Sequence, residues 1–192
     1  MQARLFEAGT VPECATPEWY SGREHAPHLE QEGHRERLHL SADMARDAAR
    51  RGATSVCDLG AGDGGLLTLI PDVTRWGYDL QQTNVDAAVR RGVDVSLRDV
   101  VTDGFELADC VVATEFLEHV VNPHALVRRV ADSGAKFLVA SSPYMETAES
   151  HYAFHLWAWD LAGYRAMMED NGWRVLRQET SWICQVLLCE LA

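Results

Sequence analysis

Short apolar runs recur through the middle of the chain, at 54–59 (TSVCDL), 75–79 (RWGYD), 94–98 (DVSLR), 109–114 (DCVVAT) and 136–141 (KFLVAS). Each has strand length, and stretches with helical patterning separate most of them, at 64–70, 83–91 and 122–132. The last of these opens with Asn122 as N-cap and Pro123 at the first helical position, and Gly134 follows its end. Fully apolar strands alternating with helices predict a mostly parallel sheet covered on both faces. Ahead of this region, 34–52 (HRERLHLSADMARDAARRG) carries Leu38, Ala42, Ala45 and Ala49 at helical spacing, with Gly52 as C-terminal cap. Behind it, a helix from Asp160 to Asn171 ends at Gly172, and WRVLRQETSW and ICQVLLCELA follow with no room for a crossover helix. Two such strands must pair antiparallel. Residues 1–33, with three prolines and three glycines, read as irregular or briefly helical. The expected organisation is therefore an N-terminal segment (1–33), suited to covering a substrate, and one α/β domain (34–192).

Composition narrows the classes. A chain of 192 residues with 47% hydrophobic and 24% charged residues is that of one folded domain. Seventeen basic residues against 29 acidic ones give a net charge of −12, which argues against broad affinity for nucleic acid. The five cysteines (Cys14, Cys57, Cys110, Cys184, Cys189) are scattered, and three sit in apolar runs, as core residues in a reducing cytoplasmic setting would. A basic flank followed by an apolar stretch is missing at the N-terminus, and no apolar run approaches the roughly 20 residues that span a bilayer.

Residues 55–67 (SVCDLGAGDGGLL) turn the first strand into a helix through a glycine cluster, where a ligand can press against bare backbone. The spacing has two readings. Gly60, Gly62 and Gly65 fit the G-x-G-x-x-G of a dinucleotide loop, while Gly60, Gly62 and Gly64 fit a G-x-G-x-G associated with S-adenosylmethionine (SAM). Asp58 favours SAM, because a carboxylate there would repel a pyrophosphate and attract the ammonium of a methionine moiety. Asp79 ends the second strand in GYDL, where it would accept the ribose hydroxyls of either cofactor. The terminal hairpin leaves no second nucleotide-binding half, which also weighs against NAD. An NAD-dependent oxidoreductase stays as the alternative.

From about residue 35 to 192 the chain resembles the class I SAM-dependent methyltransferases. VCDLGAGDGG is similar to their first motif, GYDL to the second and SLRDV to the third. CVVATEFLEHVVNP is similar to the fourth-strand signature, with the E-x-L-E-H-x-x-x-P of the ubiquinone-biosynthesis-like subgroup, which methylates O or N atoms of small molecules. The resemblance implies a Rossmann-like, doubly wound sheet of seven strands and SAM as cofactor. It also implies that Asp58, Gly60 and Gly62 hold the methionine part, Asp79 the ribose, and Asp99 and Val100 the adenine. Ala61, Leu80 and Thr114 complete that site.

The acceptor chemistry should lie beyond the C-terminal ends of the strands. His119 is the preferred base for a hydroxyl nucleophile, with Glu115 or Glu118 orienting it and His155 as a further candidate. A second reading takes Glu115, Glu118, His119 and His155 as ligands of a divalent metal. That set resembles the small-RNA 3′-end 2′-O-methyltransferases, which hold a cation with two Glu and two His; SSPYME (141–146) follows the likeness, with Tyr144 where that family has Asn. The aromatic residues of 143–159 (Tyr144, Tyr152, Phe154, Trp157, Trp159) read either as packing over the final helix or as the wall of a site for an apolar or aromatic substrate. His25, His28, His34 and His39 are secondary candidates for substrate contact.

Overall fold

The apolar runs are neighbours in one sheet in the computed structural model, which describes residues 1–23 and 27–192. In chain order the elements are β1 (Gln2–Arg4), α1 (Pro17–Ser21), α2 (Glu32–Arg50), β2 (Ser55–Leu59), α3 (Gly65–Thr68), β3 (Thr74–Asp79), α4 (Gln82–Arg90) and β4 (Val95–Leu97). Then follow β5 (Cys110–Thr114), α5 (Pro123–Asp132), β6 (Phe137–Pro143), β7 (Trp157–Trp159), α6 (Leu161–Glu169), β8 (Trp173–Ser181) and β9 (Cys184–Leu191). Seven strands pair in the order β4-β3-β2-β5-β6-β9-β8. The first five are parallel, and β9 enters antiparallel between β6 and β8, as the missing crossover helix required. The expected Rossmann-like doubly wound sheet with its C-terminal hairpin is the observed fold.

Successive side chains on a strand point to opposite faces, so each apolar strand feeds two cores. On one face Cys57, Val111, Ala113, Leu138 and Leu187 pack with α5 and α6; on the other Val56, Cys110, Val112, Val139 and Val186 pack with α2, α3 and α4. Cys57, Cys110, Cys184 and Cys189 are buried and free, which accounts for their scatter as small core residues. No helix among the described residues is long and apolar enough to cross a membrane.

Several boundaries differ from the pattern's expectation. Helix α2 starts at Glu32 rather than His34, so the boundary placed between 33 and 34 falls inside a helix. α3 has only four residues because Gly64 holds a left-handed conformation (φ 71°) that delays the helix. β8 stops at Ser181, since Trp182 adopts φ +54° to turn the hairpin. Trp157–Trp159 is not loop. It forms β7, pairing antiparallel with β1 in a separate two-stranded sheet that short, polar-flanked runs do not announce. Trp159 is fully buried, stacks on Trp157 (8° between planes) and meets Tyr164 of α6 at 5.3 Å between centroids. These two tryptophans are core, and replacing Trp159 by Ala would cost about 3–5 kcal/mol.

Candidate active site

Around β2 the chain direction of the sheet reverses, since β3 lies on one side and β5 on the other. Such switch points open a crevice at the C-terminal strand ends. A cavity of about 610 Å³ lies there, lined from the ends of β2, β3 and β5, the N-terminal segment, the 152–155 loop and the hairpin tip.

The glycine loop resolves its own spacing. Gly60, Gly62 and Gly64 have positive φ (73°, 55° and 71°), whereas Gly65 does not and belongs to α3. A Cβ on Gly60 would lie 2.5 Å from the Phe116 ring, and one on Gly64 2.3 Å from Val93, so neither position takes a side chain. The N–H groups of Gly60 and Ala61 both donate to the Tyr78 carbonyl at 2.9 Å, tying the loop to β3.

Asp79, at the end of β3, accepts from the N–H of Gly62 (2.8 Å), the N–H of Gln81 (2.8 Å) and the Asn84 amide (3.1 Å). Burial raises its pKa, and these hydrogen bonds oppose the rise. Leu80 lines the cavity beside it. Asp99 lines the adenine side of the expected site and accepts from the N–H groups of Val101 (2.9 Å) and Thr102 (3.4 Å), fixing the turn after β4 over buried Val100. Thr114 lines the cavity from the end of β5.

Asp58 is different. It is 1% exposed, its Oδ1 has no hydrogen-bond partner among the described residues, and burial together with the nearby Asp79 charge pushes its pKa up to about 8. Facing the same cavity is Arg37 of α2, 2% exposed, whose Nε and Nη1 are also without partners; one guanidinium nitrogen lies 3.3 Å from His34 Nδ1. Arg37 escaped the sequence reading because it lies in a run of surface-like charges, HRER, on a helix whose apolar stripe was the visible signal.

At the acceptor end, the turn Leu117–His119 follows β5. Glu118 is fully buried, neither carboxylate oxygen finds a partner among the described residues, and burial with the neighbouring Glu115 charge holds its pKa well above the carboxylate range. His119 Nδ1 lies 3.3 Å from the Phe154 carbonyl, and the ring stacks on Phe154 (centroids 5.7 Å, 16°). Burial, and then His155, push its pKa down to about 3, so it is neutral at physiological pH. His155 Nδ1 lies 2.6 Å from Glu146 Oε2, and Glu146 Oε1 accepts from the Tyr152 N–H at 3.0 Å. Ligand atoms of Glu118, His119 and His155 lie within 4.8 Å of one another.

Glu115 does not join them, contrary to the expected four-residue set. Its backbone has φ +49°, its N–H donates to the Ser141 carbonyl (3.1 Å) and hydroxyl (3.0 Å), and its carboxylate accepts from Ser141 Oγ (3.0 Å) and Cys184 Sγ (3.3 Å). The left-handed turn sends the side chain toward β6 and β9 instead. Glu146, which orients His155, was missed because nothing in SSPYME marks it as the partner of a histidine nine residues on.

The aromatic segment divides. Tyr152 and Phe154 line the cavity, while Trp157 and Trp159 pack in the core. Tyr20 of α1 adds an edge contact to His119 (6.0 Å), and its carbonyl accepts from Gln81 Nε2 at 2.9 Å. Of the N-terminal histidines, His28 and His34 line the cavity and touch each other (4.9 Å), His39 is exposed, and His25 lies outside the described residues.

Residues 28–178 match the family model of a methyltransferase domain. The chain belongs to that family. It is a SAM-dependent methyltransferase, which decides the double reading of the glycine loop. Among solved structures it is similar to magnesium protoporphyrin IX methyltransferase from Synechocystis PCC 6803 with bound SAM (15% identity, TM-score 0.71, 96% of this chain and 100% of that one). It is also similar to NcsB1, an O-methyltransferase of neocarzinostatin biosynthesis in complex with SAM and 2-hydroxy-5-methyl naphthoic acid (18%, 0.63, 85% and 56%). A third is the methyltransferase domain of bacterial CtHen1-C (17%, 0.60, 80% and 99%). Among curated proteins none matches by sequence.

Proposed function

We propose that this methyltransferase moves the SAM methyl group to an oxygen or nitrogen of a small, flat, apolar or aromatic molecule. The observation that carries the reading is a pair of buried groups of opposite type lining one cavity, Asp58 Oδ1 and Arg37 Nε and Nη1, each without a partner among the described residues. A methionine moiety brings an ammonium for one and a carboxylate for the other. Asp79 with Leu80 takes the ribose, Asp99 and Val100 the adenine, and Gly60, Ala61, Gly62 and Thr114 border the sulfonium end. SAM, when bound, supplies an electrophilic methyl group.

The chain's contribution is alignment, exclusion of water and one proton transfer. With Nδ1 hydrogen-bonded to the Phe154 carbonyl, the neutral His119 ring carries its lone pair on Nε2, where it takes the proton of a hydroxyl nucleophile. Residues 1–33 cover the site, and Tyr20, Tyr152 and Phe154 form its aromatic wall. The flat ligands and substrates named for two of the similar structures, a porphyrin and a naphthoic acid, support an aromatic acceptor. The free cysteines support a reducing, cytoplasmic setting.

Thermal unfolding with S-adenosylhomocysteine (SAH) tests the reading. SAH at about a hundred times its Kd should raise Tm by about 5–10 °C; stabilisation by NAD or NADH alone overturns it. A second reading has its own observation: two partnerless oxygens on Glu118, with His119 and His155 in reach. A divalent cation held by these three would bind and acidify a substrate hydroxyl, as for the end of an RNA. Metal analysis of the purified protein, and EDTA added to the SAH complex, separate the two.

A further inference from the structure

The cofactor residues and the Glu118–His119–His155 cluster leave one charged side chain of the cavity without a task. On the wall made by the N-terminal segment and the 152–155 loop, Tyr20, Tyr152 and Phe154 surround Arg23. Its guanidinium carbon lies 4.5 Å from the Trp19 ring centroid and 4.6 Å from that of Phe154, so two rings hold it in place by cation–π attraction. Among the described residues it forms no ion pair, although the chain has 29 acidic residues against 17 basic ones. The rings occupy its faces. What remains open is the edge of the guanidinium, a planar fork of N–H donors matched to a carboxylate.

Phe154 is shared. One contact places Arg23 against it, and the other stacks it on His119 at 5.7 Å, so fork and imidazole stand one ring apart along the same wall. A ligand lying on that wall would meet a cation at one end and the methyl-transfer centre at the other. The acidic residues that line the cavity sit elsewhere, on the ends of β2, β3 and β5 and in the loop after β4.

We propose that Arg23 is the recognition residue for a planar aromatic acid, receiving its carboxylate while a hydroxyl at the far end of the ring system faces His119. This rests on the methyltransferase reading and names its substrate class.

The probe pair is 6-hydroxy-2-naphthoate and 6-hydroxy-2-naphthamide, of nearly equal shape and different charge, titrated into the SAH-loaded protein by calorimetry. The acid should bind about ten-fold or more tighter than the amide. Arg23→Gln should reduce that preference to about two-fold or less and Arg23→Lys should keep part of it, with SAH affinity within about two-fold in both. Equal binding of acid and amide to the unaltered protein, including no binding of either, overturns the proposal, as does an acid preference that survives Arg23→Gln. Failure of SAH itself to bind would overturn the methyltransferase reading instead, and is read separately.

Discussion

Asp79 and Glu118 are both buried carboxylates near one cavity, and the protein treats them differently. Asp79 receives three hydrogen bonds from the chain, so its orientation is complete before any ligand arrives. Glu118 receives none from the described residues, and Asp58 is closer to Glu118 than to Asp79 in this respect. An unpartnered buried carboxylate costs several kcal/mol if ionised, so such a group either holds a proton or waits for a cation. The difference marks where the molecule is pre-assembled and where a ligand must finish it.

The largest effect should come from breaking the waiting group at the cofactor end. Asp58→Asn removes the counter-charge of the SAM ammonium and should weaken SAH binding by about a hundred-fold, measured by calorimetry. An unchanged affinity would show that Asp58 faces something else. Next comes the acceptor end, where His119→Ala should lower kcat by about 10²–10³-fold while SAH affinity stays within about three-fold. Turnover that survives the change would remove His119 from the proton transfer.

The contrast also has a pH signature. The pKa of Asp58, about 8 when folded against 3.8 for an ordinary Asp, means that the folded state keeps a proton the unfolded state has lost. The stability this supplies is complete below about pH 4 and is lost as pH rises toward 8. Relative to Asp58→Asn, the unaltered protein without cofactor should lose up to about 1.4 kcal/mol per pH unit across that window in urea titrations. A constant difference would mean that Asp58 is already compensated. The smallest effect belongs to a group the protein has satisfied: Ser141→Ala takes one hydroxyl from Glu115 and should cost about 1 kcal/mol, read as a small shift in urea midpoint.

The same division governs what could be read from residues alone. The cofactor end is local: β2, the glycines and the end of β3 are adjacent in sequence and in space, so apolar runs, Asp58 and GYDL suffice to assemble it. Arg37 is the exception, since its burial depends on how α2 lies across the loop. The acceptor end is made from distant pieces, with Tyr20, His119, Glu146 and Phe154 brought together by the packing of loops that carry no periodic pattern. Glu115 shows the limit most clearly, because E-x-x-E-H spacing places two carboxylates near each other while one left-handed residue turns the first away. Strand β7 was hidden for a related reason: three residues pairing with three others from the far end of the chain leave no local trace.

That small pairing bears on turnover. β1 joins β7 immediately after Leu156, and residues 1–23 then cross the cavity before α2 begins. The covering segment is thus moored at both of its ends, to the sheet extension on one side and to a nineteen-residue helix on the other. It cannot swing away like a flap on a single hinge. Exchange of substrate and product must proceed by bowing of the strap between its moorings, so the rate of release is set by how tightly Tyr20 and Trp19 hold to the wall beneath them.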